Sequence, residues 1–514
     1  MAGICVNEDI AHFYANRPED EMTAAGCDGL VDFYARFPDV TQLLFCANVQ
    51  RALFDSRVWE PVYHGYDPEA GPDQPVLRFL EDPADRELTL GSQGRYWIHN
   101  LWLLKQRRVD HLARWLARCR QRGIEGWLSV RMNDGHFLHL PDAFWHPTVW
   151  RERPDLWIVP HDQTGGGRAW DYTHREVREH HLALIRELLE RYDLCGLELD
   201  WIRGYPYFPA GTEAERGRHL TELTAEVREL ATAAAARLGH PVKVGARVPT
   251  RIESGRLLGM DGLTWAREGL VDQLVLSSRV VGIEFDVPVD QWRRALGGLP
   301  VTLAAQFGTN TAAYPAARQH GAAALAQATP ELLRGAAGAA FHAGADQVYL
   351  FNHCYYESEP GRRDWYCRIL ESIGSLQSLA GRPRRHAITY PEITAPGEPD
   401  GAVLPARIGN GTQARLALCV APLPDLTWAS VVVGFERGRP SPAPREIEVR
   451  VNGQVCRYLA VVPPGEPPLD LPAMVDPRMT FLIPRGAVVL GRNTVEIACP
   501  RGEGEVVWCE IRVA

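Results

Sequence analysis

From the first residues to about position 375, short apolar runs rich in β-branched and aromatic residues alternate with segments whose apolar residues recur at helical spacing. Eight runs predict strands: ICVNED (4–9), TQLLFCAN (41–48), GWLSVRMND (126–134), LCGLELDW (194–201), VKVGARV (242–248), DQLVLSS (272–278), VTLAAQF (301–307) and DQVYLFNH (346–353). Between them, HREVREHHLALIRELLERY (174–192) and TELTAEVRELATAAAARLG (221–239) carry the period of amphipathic helices. Consecutive βα units imply parallel strands, because each helix returns the chain to the same end of the sheet. Eight units without a Gly-rich fingerprint after an early strand predict an α/β fold of the (β/α)8 TIM-barrel kind, not an open doubly wound sheet.

Loops after the second, third and fourth strands are long, at 49–97, 135–173 and 202–215, whereas the returns from helix to strand are short. In such a barrel the long loops fall at the C-terminal ends of the strands, where active sites are built. The stretch AGRPRRHAITYPEITAPGEPD (380–400) is rich in Pro and Gly and reads as a linker, after which alternating strand-like runs such as ARLALCVAP and EIEVRVNGQV replace helices. The expected organisation is a barrel over 1–380, a linker over 381–400 and an antiparallel β-sandwich over 401–514.

Composition narrows the function. A net charge of −9 supplies no concentrated excess of Lys and Arg, which excludes sequence-independent nucleic-acid binding as an expectation. Lys105 and Lys243 are the only lysines, so Schiff-base chemistry has almost no candidates. The 11 cysteines are scattered without CxxC spacing, as buried reduced thiols are. No charged leader followed by an apolar core opens the chain, and no stretch approaches a membrane span, so a cytoplasmic protein without membrane contact is expected. Nothing in the sequence decides against a homo-oligomer. Trp145, Trp150, Trp157 and Trp170 sit in loops, where flat rings either face sugars or pack the loop itself.

The sharpest chemical signal is GLELDWIRGYPYF (196–208). Alternation places Glu198 and Asp200 on one face of a buried strand, and carboxylates there are costly unless paired or working. Asp200 falls at the mouth and Glu198 one layer deeper. The bland alternative is that both hold Arg131 or Arg247 in an ion-pair network.

Together with WLSVRMNDGHF, the run WDYTHREVREHHLALIRELLERYDLCGLELDWIR resembles bacterial glycoside-hydrolase-like barrels, the family-10-like glycosyl hydrolases of uncharacterised specificity. The resemblance covers roughly residues 1–375 and implies a barrel acting on an oligosaccharide or glycoside with no cofactor. A looser likeness to chitinase-type barrels puts Glu198 and Asp200 on two acidic motif positions, but Ile202 stands where those enzymes carry their catalytic acid.

Glycosidic cleavage ordinarily uses two carboxyl groups, about 5–5.5 Å apart in retaining enzymes and about 6.5–9.5 Å apart in inverting ones. Asp200 is the candidate nucleophile or base. The acid is sought at Glu284 after the sixth strand, as the barrel α-galactosidase arrangement implies, at Asp134 closing the third, or at Glu8 with Asp9 closing the first. Candidate substrate contacts are Glu8, Glu198, Arg131, Asn133, His136, Trp201, Arg203, Tyr205, Arg247, Arg279, Gln306, Asn352 and His353. Four arginines near one mouth suggest an anionic sugar, a uronic acid or sulfated unit. Asp134, His136 and His139 form a DxHxxH run, but without HExxH or paired Cys no metal is expected. Two other readings remain: a carbohydrate-binding barrel without turnover, and a histidine- or metal-dependent hydrolase or lyase acting on uronates through His136 or His353.

Overall fold

The computed structural model of the 514-residue chain describes residues 2–9, 11–78, 80, 86–90, 94–204, 206–279, 282–315, 325–421, 428–462 and 471–513. Eight parallel strands close into a barrel: β1 (Gly3–Glu8), β2 (Val40–Cys46), β3 (Glu125–Arg131), β4 (Gly196–Asp200), β5 (Lys243–Pro249), β6 (Gln273–Ser277), β7 (Thr302–Phe307) and β8 (Gln347–Leu350). Each strand pairs with its neighbours in sequence, and β8 closes the ring on β1 through Gly3 beside Gln347 and Val6 beside Leu350. The expected helices appear as Arg175–Arg191 and Arg218–Leu238, the second stopped by Gly239 at φ 77°, a left-handed conformation that glycine adopts without steric cost.

Inside the barrel, side chains stack in layers. At the N-terminal end Gln42, Gln273 and Gln347 join through amide hydrogen bonds of 3.0–3.2 Å. Above them lies a small apolar core of Cys5, Leu44, Trp127, Val275, Ala304 and Tyr349. Gly196 on β4 and Gly245 on β5 make room for the Trp127 indole, since a Cβ at either position would press on its ring. Above this layer, toward the C-terminal ends, the interior is polar apart from the ring of Phe351.

The C-terminal region consists of two antiparallel sheets. One joins strands 384–387, 503–513, 429–436, 475–482 and 457–462, with 406–409 also paired to 503–513; the other joins 413–420, 491–498, 448–451 and 454–455. Strand 413–420 alternates exposed or half-buried with buried residues, as one face of a sandwich requires. Arg384–Ala387, inside the stretch read from composition as a linker, is an edge strand of this region, antiparallel to 510–513. Helix Pro330–His342 lies directly on that strand. Gly335 permits the contact, because a Cβ there would overlap the Arg385 carbonyl, and Gly338 does the same against Ala421. Small residues in the run LLRGAAGAAFH thus let the helix between β7 and β8 carry the second region at backbone distance.

Candidate active site

Parity along each strand decides which side chains reach the axis. On β4, Glu198 and Asp200 point inward while Leu197 and Leu199 pack outward. Register places Ser129 beside Glu198 and sets Asp200 between Arg131 on β3 and Arg247 on β5. On β1 the inward residues are Cys5 and Asn7, and Asp9 just beyond the strand follows them toward Arg131.

Two arginine networks occupy the upper layers. Arg131, fully buried, pairs with Asp9 and donates from Nη1 to Asp134 Oδ2 at 2.6 Å. Asp134 Oδ1 meanwhile accepts from the His136 backbone N–H at 3.0 Å, from Trp145 Nε1 at 3.2 Å and from His136 Nδ1 at 2.5 Å. Burial alone would raise the proton affinity of Asp134, but His136 and Arg131 overcome it and hold the carboxyl well below its usual range. Asp134 is therefore an ionised acceptor and not a proton donor.

In the second network Arg247 donates to Asp200 Oδ2 at 2.7 Å, to Gln306 Oε1 at 2.8 Å and to Ser277 Oγ at 3.2 Å. Asp200 Oδ1 accepts from the Ile202 backbone N–H at 3.0 Å. Glu198, below it, accepts from Ser129 Oγ at 2.7 Å and Tyr349 Oη at 3.0 Å. Burial and the neighbouring Asp200 charge push the Glu198 carboxyl up to about 7, against the opposing pull of Arg247.

Arg203, in the loop after β4, closes the arrangement. Its guanidinium carbon stands 5.0 Å from the centroid of the Phe351 ring, which Arg247 approaches to 4.3 Å. The residue is 8% exposed, yet its Nε and Nη1 have no hydrogen-bond partner. Burial, then the Arg131 charge, lower its proton affinity, while Asp9, Asp134 and Asp200 act in the other direction. Arg203 walls a cavity of about 260 Å³ together with His136, Arg279, Gly135, Gly166 and Ala169. The loops after β3 and β4 meet here because Gly204 has no Cβ: one at that position would overlap the Asn133 carbonyl. The His136 side chain is 43% exposed, so of the Asp134–His136 pair only the imidazole reaches solvent.

Other expected residues lie elsewhere. Glu8 faces away from the axis, where Tyr34 donates to it and His12 Nδ1 lies 2.8 Å from its Oε2, so it braces helices instead of lining the mouth. Strand one reads inward at odd positions, and Ile4 and Val6 marked the outward, core-packing parity. Trp201 turns into the aromatic packing of Tyr172, Tyr207 and Trp265 behind β4. Asn133 bonds both the N–H and the carbonyl of Trp170, pinning a loop. His353 is buried with Nε2 2.7 Å from the Gly308 carbonyl, and burial holds it down to about 4, a neutral imidazole outside the wall of the mouth cavity. Asn352 is half-buried in a left-handed conformation, φ 61°, beside Phe351. Tyr205 lies outside the described residues.

Glu284 is not at the mouth. It accepts from Thr250 Oγ1 at 2.9 Å and from the Glu392 N–H at 3.0 Å, in a groove between the barrel and the C-terminal sheets, where burial pushes its carboxyl up to about 7. The loop tryptophans pack: Trp150 stacks on His146 with centroids 3.9 Å apart, and Trp157 donates to the Trp150 carbonyl. Among the described residues, the group able to offer three ligand atoms to one metal ion is Glu8, His12 and Cys354, away from the DxHxxH run. Sequence reasoning did not name Phe351, Tyr349 and Ser129 as partners; strand parity is the signal that finds all three.

No protein-family model matches the chain, and no curated protein matches it. Among solved structures it is similar to a GH36 α-galactosidase from Geobacillus stearothermophilus in complex with raffinose, at 12% identity over 97% of this chain and 55% of that one, with a TM-score of 0.35. It is also similar to α-L-fucosidase isoenzyme 1 from Paenibacillus thiaminolyticus, at 11% identity over 97% and 96% of the two chains with a TM-score of 0.33. A cycloisomaltooligosaccharide glucanotransferase from Paenibacillus sp. matches at 9% identity over 100% of this chain and 56% of that one, with a TM-score of 0.33. The chain spans somewhat more than half the length of the first structures it matches, at 56%, 55% and 62%.

Proposed function

We propose that the protein cleaves a glycosidic bond in a small anionic sugar, a uronide or sulfated glycoside, at the C-terminal mouth of its barrel. The observation that carries this reading is Arg203: a nearly buried guanidinium with two unpaired nitrogen positions, walling a cavity beside Arg279. A buried donor without a partner costs free energy that an arriving carboxylate or sulfate removes, and the guanidinium fork suits those groups.

His136 is the acid–base group of this mechanism. Asp134 accepts the Nδ1 proton, fixes the tautomer and offsets the positive charge when the other nitrogen binds a proton, so Nε2 can give a proton to the leaving oxygen. Asp200, oriented by Arg247 and the Ile202 N–H, is the carboxylate at the axis that stabilises positive charge developing at the anomeric carbon, to which water then adds while its proton passes to the imidazole left neutral by the first transfer. Glu284 has no part in it.

Assay of aryl glycosides and uronides of both anomers tests the proposal. Turnover of an acidic substrate is expected, falling at least about a hundredfold in His136→Asn and in Asp200→Asn with circular dichroism unchanged. Absence of turnover on every glycoside, or full activity in both variants, refutes it. A second reading rests on one feature, that the group at the cavity wall is an imidazole and not a carboxyl. His136 could then take the proton α to a uronate carboxylate held by Arg203, expelling the 4-linked sugar by elimination. An unsaturated, ultraviolet-absorbing product distinguishes this outcome from hydrolysis.

A further inference from the structure

The loops after β2 and β3 build a second pocket on the outer side of the mouth, of about 440 Å³, with Arg51, Arg78, Arg151, His64, Asp142 and Phe144 in its wall. Its charge is lopsided. Arg51, 4% exposed, pairs with Glu60 through Nη2 at 2.9 Å and donates from Nε to the His146 carbonyl at 3.2 Å. Arg151 donates to the same carbonyl at 2.9 Å and to Thr148 Oγ1, and has no ion pair with a carboxylate among the described residues. The Arg78 side chain is exposed and makes neither a hydrogen bond nor an ion pair among the described residues. Asp142 is the one acidic side chain in the wall, and it pairs with none of the three arginines.

Three guanidiniums converging on one concave space repel one another unless an anion lies between them. Burial, beyond what Glu60 restores, brings Arg51 down to about 10, and the Arg151 charge adds to the fall. Guanidinium groups present N–H pairs in a plane and match the oxygens of tetrahedral oxyanions two at a time. Val76, Pro75 and Phe144 give the wall an apolar part, which leaves space for an organic portion attached to the anion.

We propose that this pocket is a second anion site, binding a phosphate or sulfate group through Arg51, Arg78 and Arg151. The site is independent of the reading given for the mouth, which is walled by other residues. An anion here also acts on the loop between the two cavities, because Arg51 and Arg151 both hold the His146 carbonyl, ten residues beyond His136.

Calorimetric titration of the full chain with inorganic phosphate and with sulfate, at constant ionic strength set by chloride, tests the site. Saturable binding is expected, weakened about tenfold or more in Arg78→Gln/Arg151→Gln and changed less than about twofold in Arg294→Gln, an exposed arginine outside both cavities, as loss of charge-assisted bonds dictates. Arg78→Gln alone, which removes an exposed side chain without partners among the described residues, weakens binding in the same direction and serves if the double variant does not fold. A hexose phosphate separates the sources: tighter binding than inorganic phosphate assigns an ester as the ligand, and equal binding assigns the free oxyanion. No heat beyond that of chloride, or binding lost in Arg203→Gln and retained in Arg78→Gln, overturns the proposal.

Discussion

Asp134 accepts three hydrogen bonds on one oxygen, and the shortest, 2.5 Å, comes from Nδ1 of His136 two residues later. A buried, ionised carboxylate thus orients a half-exposed imidazole. Asp134→Asn should reduce turnover by about two orders of magnitude or more. Steady-state kcat/KM of the variant checks this; a value equal to wild type would separate the Asp134–His136 pair from the chemistry.

Asp200 and Arg247 form a pair buried to 2% and 0% side-chain exposure. Removing one partner leaves a charge in the barrel interior, so Arg247→Met and Asp200→Asn should each cost about 3–5 kcal/mol. The double variant should cost markedly less than the sum. Denaturant unfolding of the four proteins measures the coupling, and additivity within about 0.5 kcal/mol would show that the pair does not interact.

Glu198 carries a pH dependence whose sign follows from its raised pKa. Folded, the carboxyl keeps its proton up to about 7, whereas in the unfolded chain it loses the proton near its ordinary value of 4.5. The folded state therefore binds more protons in that window, and the contribution of Glu198 is complete below it and lost as pH rises through it, at most roughly 3 kcal/mol. Glu284 adds a decline of the same sign over the same range. Glu198→Gln should flatten the curve of stability between about pH 4.5 and 7 while leaving the Glu284 part; a variant curve parallel to wild type would contradict the assignment.

Much of this was legible in the sequence, and the rest failed for identifiable reasons. Periodicity located all eight barrel strands within a few residues, because a buried strand between amphipathic helices leaves a strong pattern. Placing Glu8 at the mouth was a parity error of one residue, which in a strand reverses the face. The position of Glu284 depends on where the C-terminal sheets dock, and Glu392 contacts it from more than a hundred residues away. The alternative that Glu198 and Asp200 stand among arginines was visible, but which arginine holds Asp200 depends on the register of β4 against β5. Proline and glycine in 380–400 masked strand 384–387, whose four residues are too short for alternation to register.

The central claim is that Arg203 at the barrel mouth selects an acidic sugar. Its most direct test compares kcat/KM for an aryl uronide and its neutral aryl glycoside of the same configuration, in wild type and in Arg203→Met. The account predicts a preference for the uronide of at least about tenfold in wild type that collapses in the variant, with the neutral substrate little affected. Equal turnover of the two substrates, or a uronide preference that survives Arg203→Met, would contradict it.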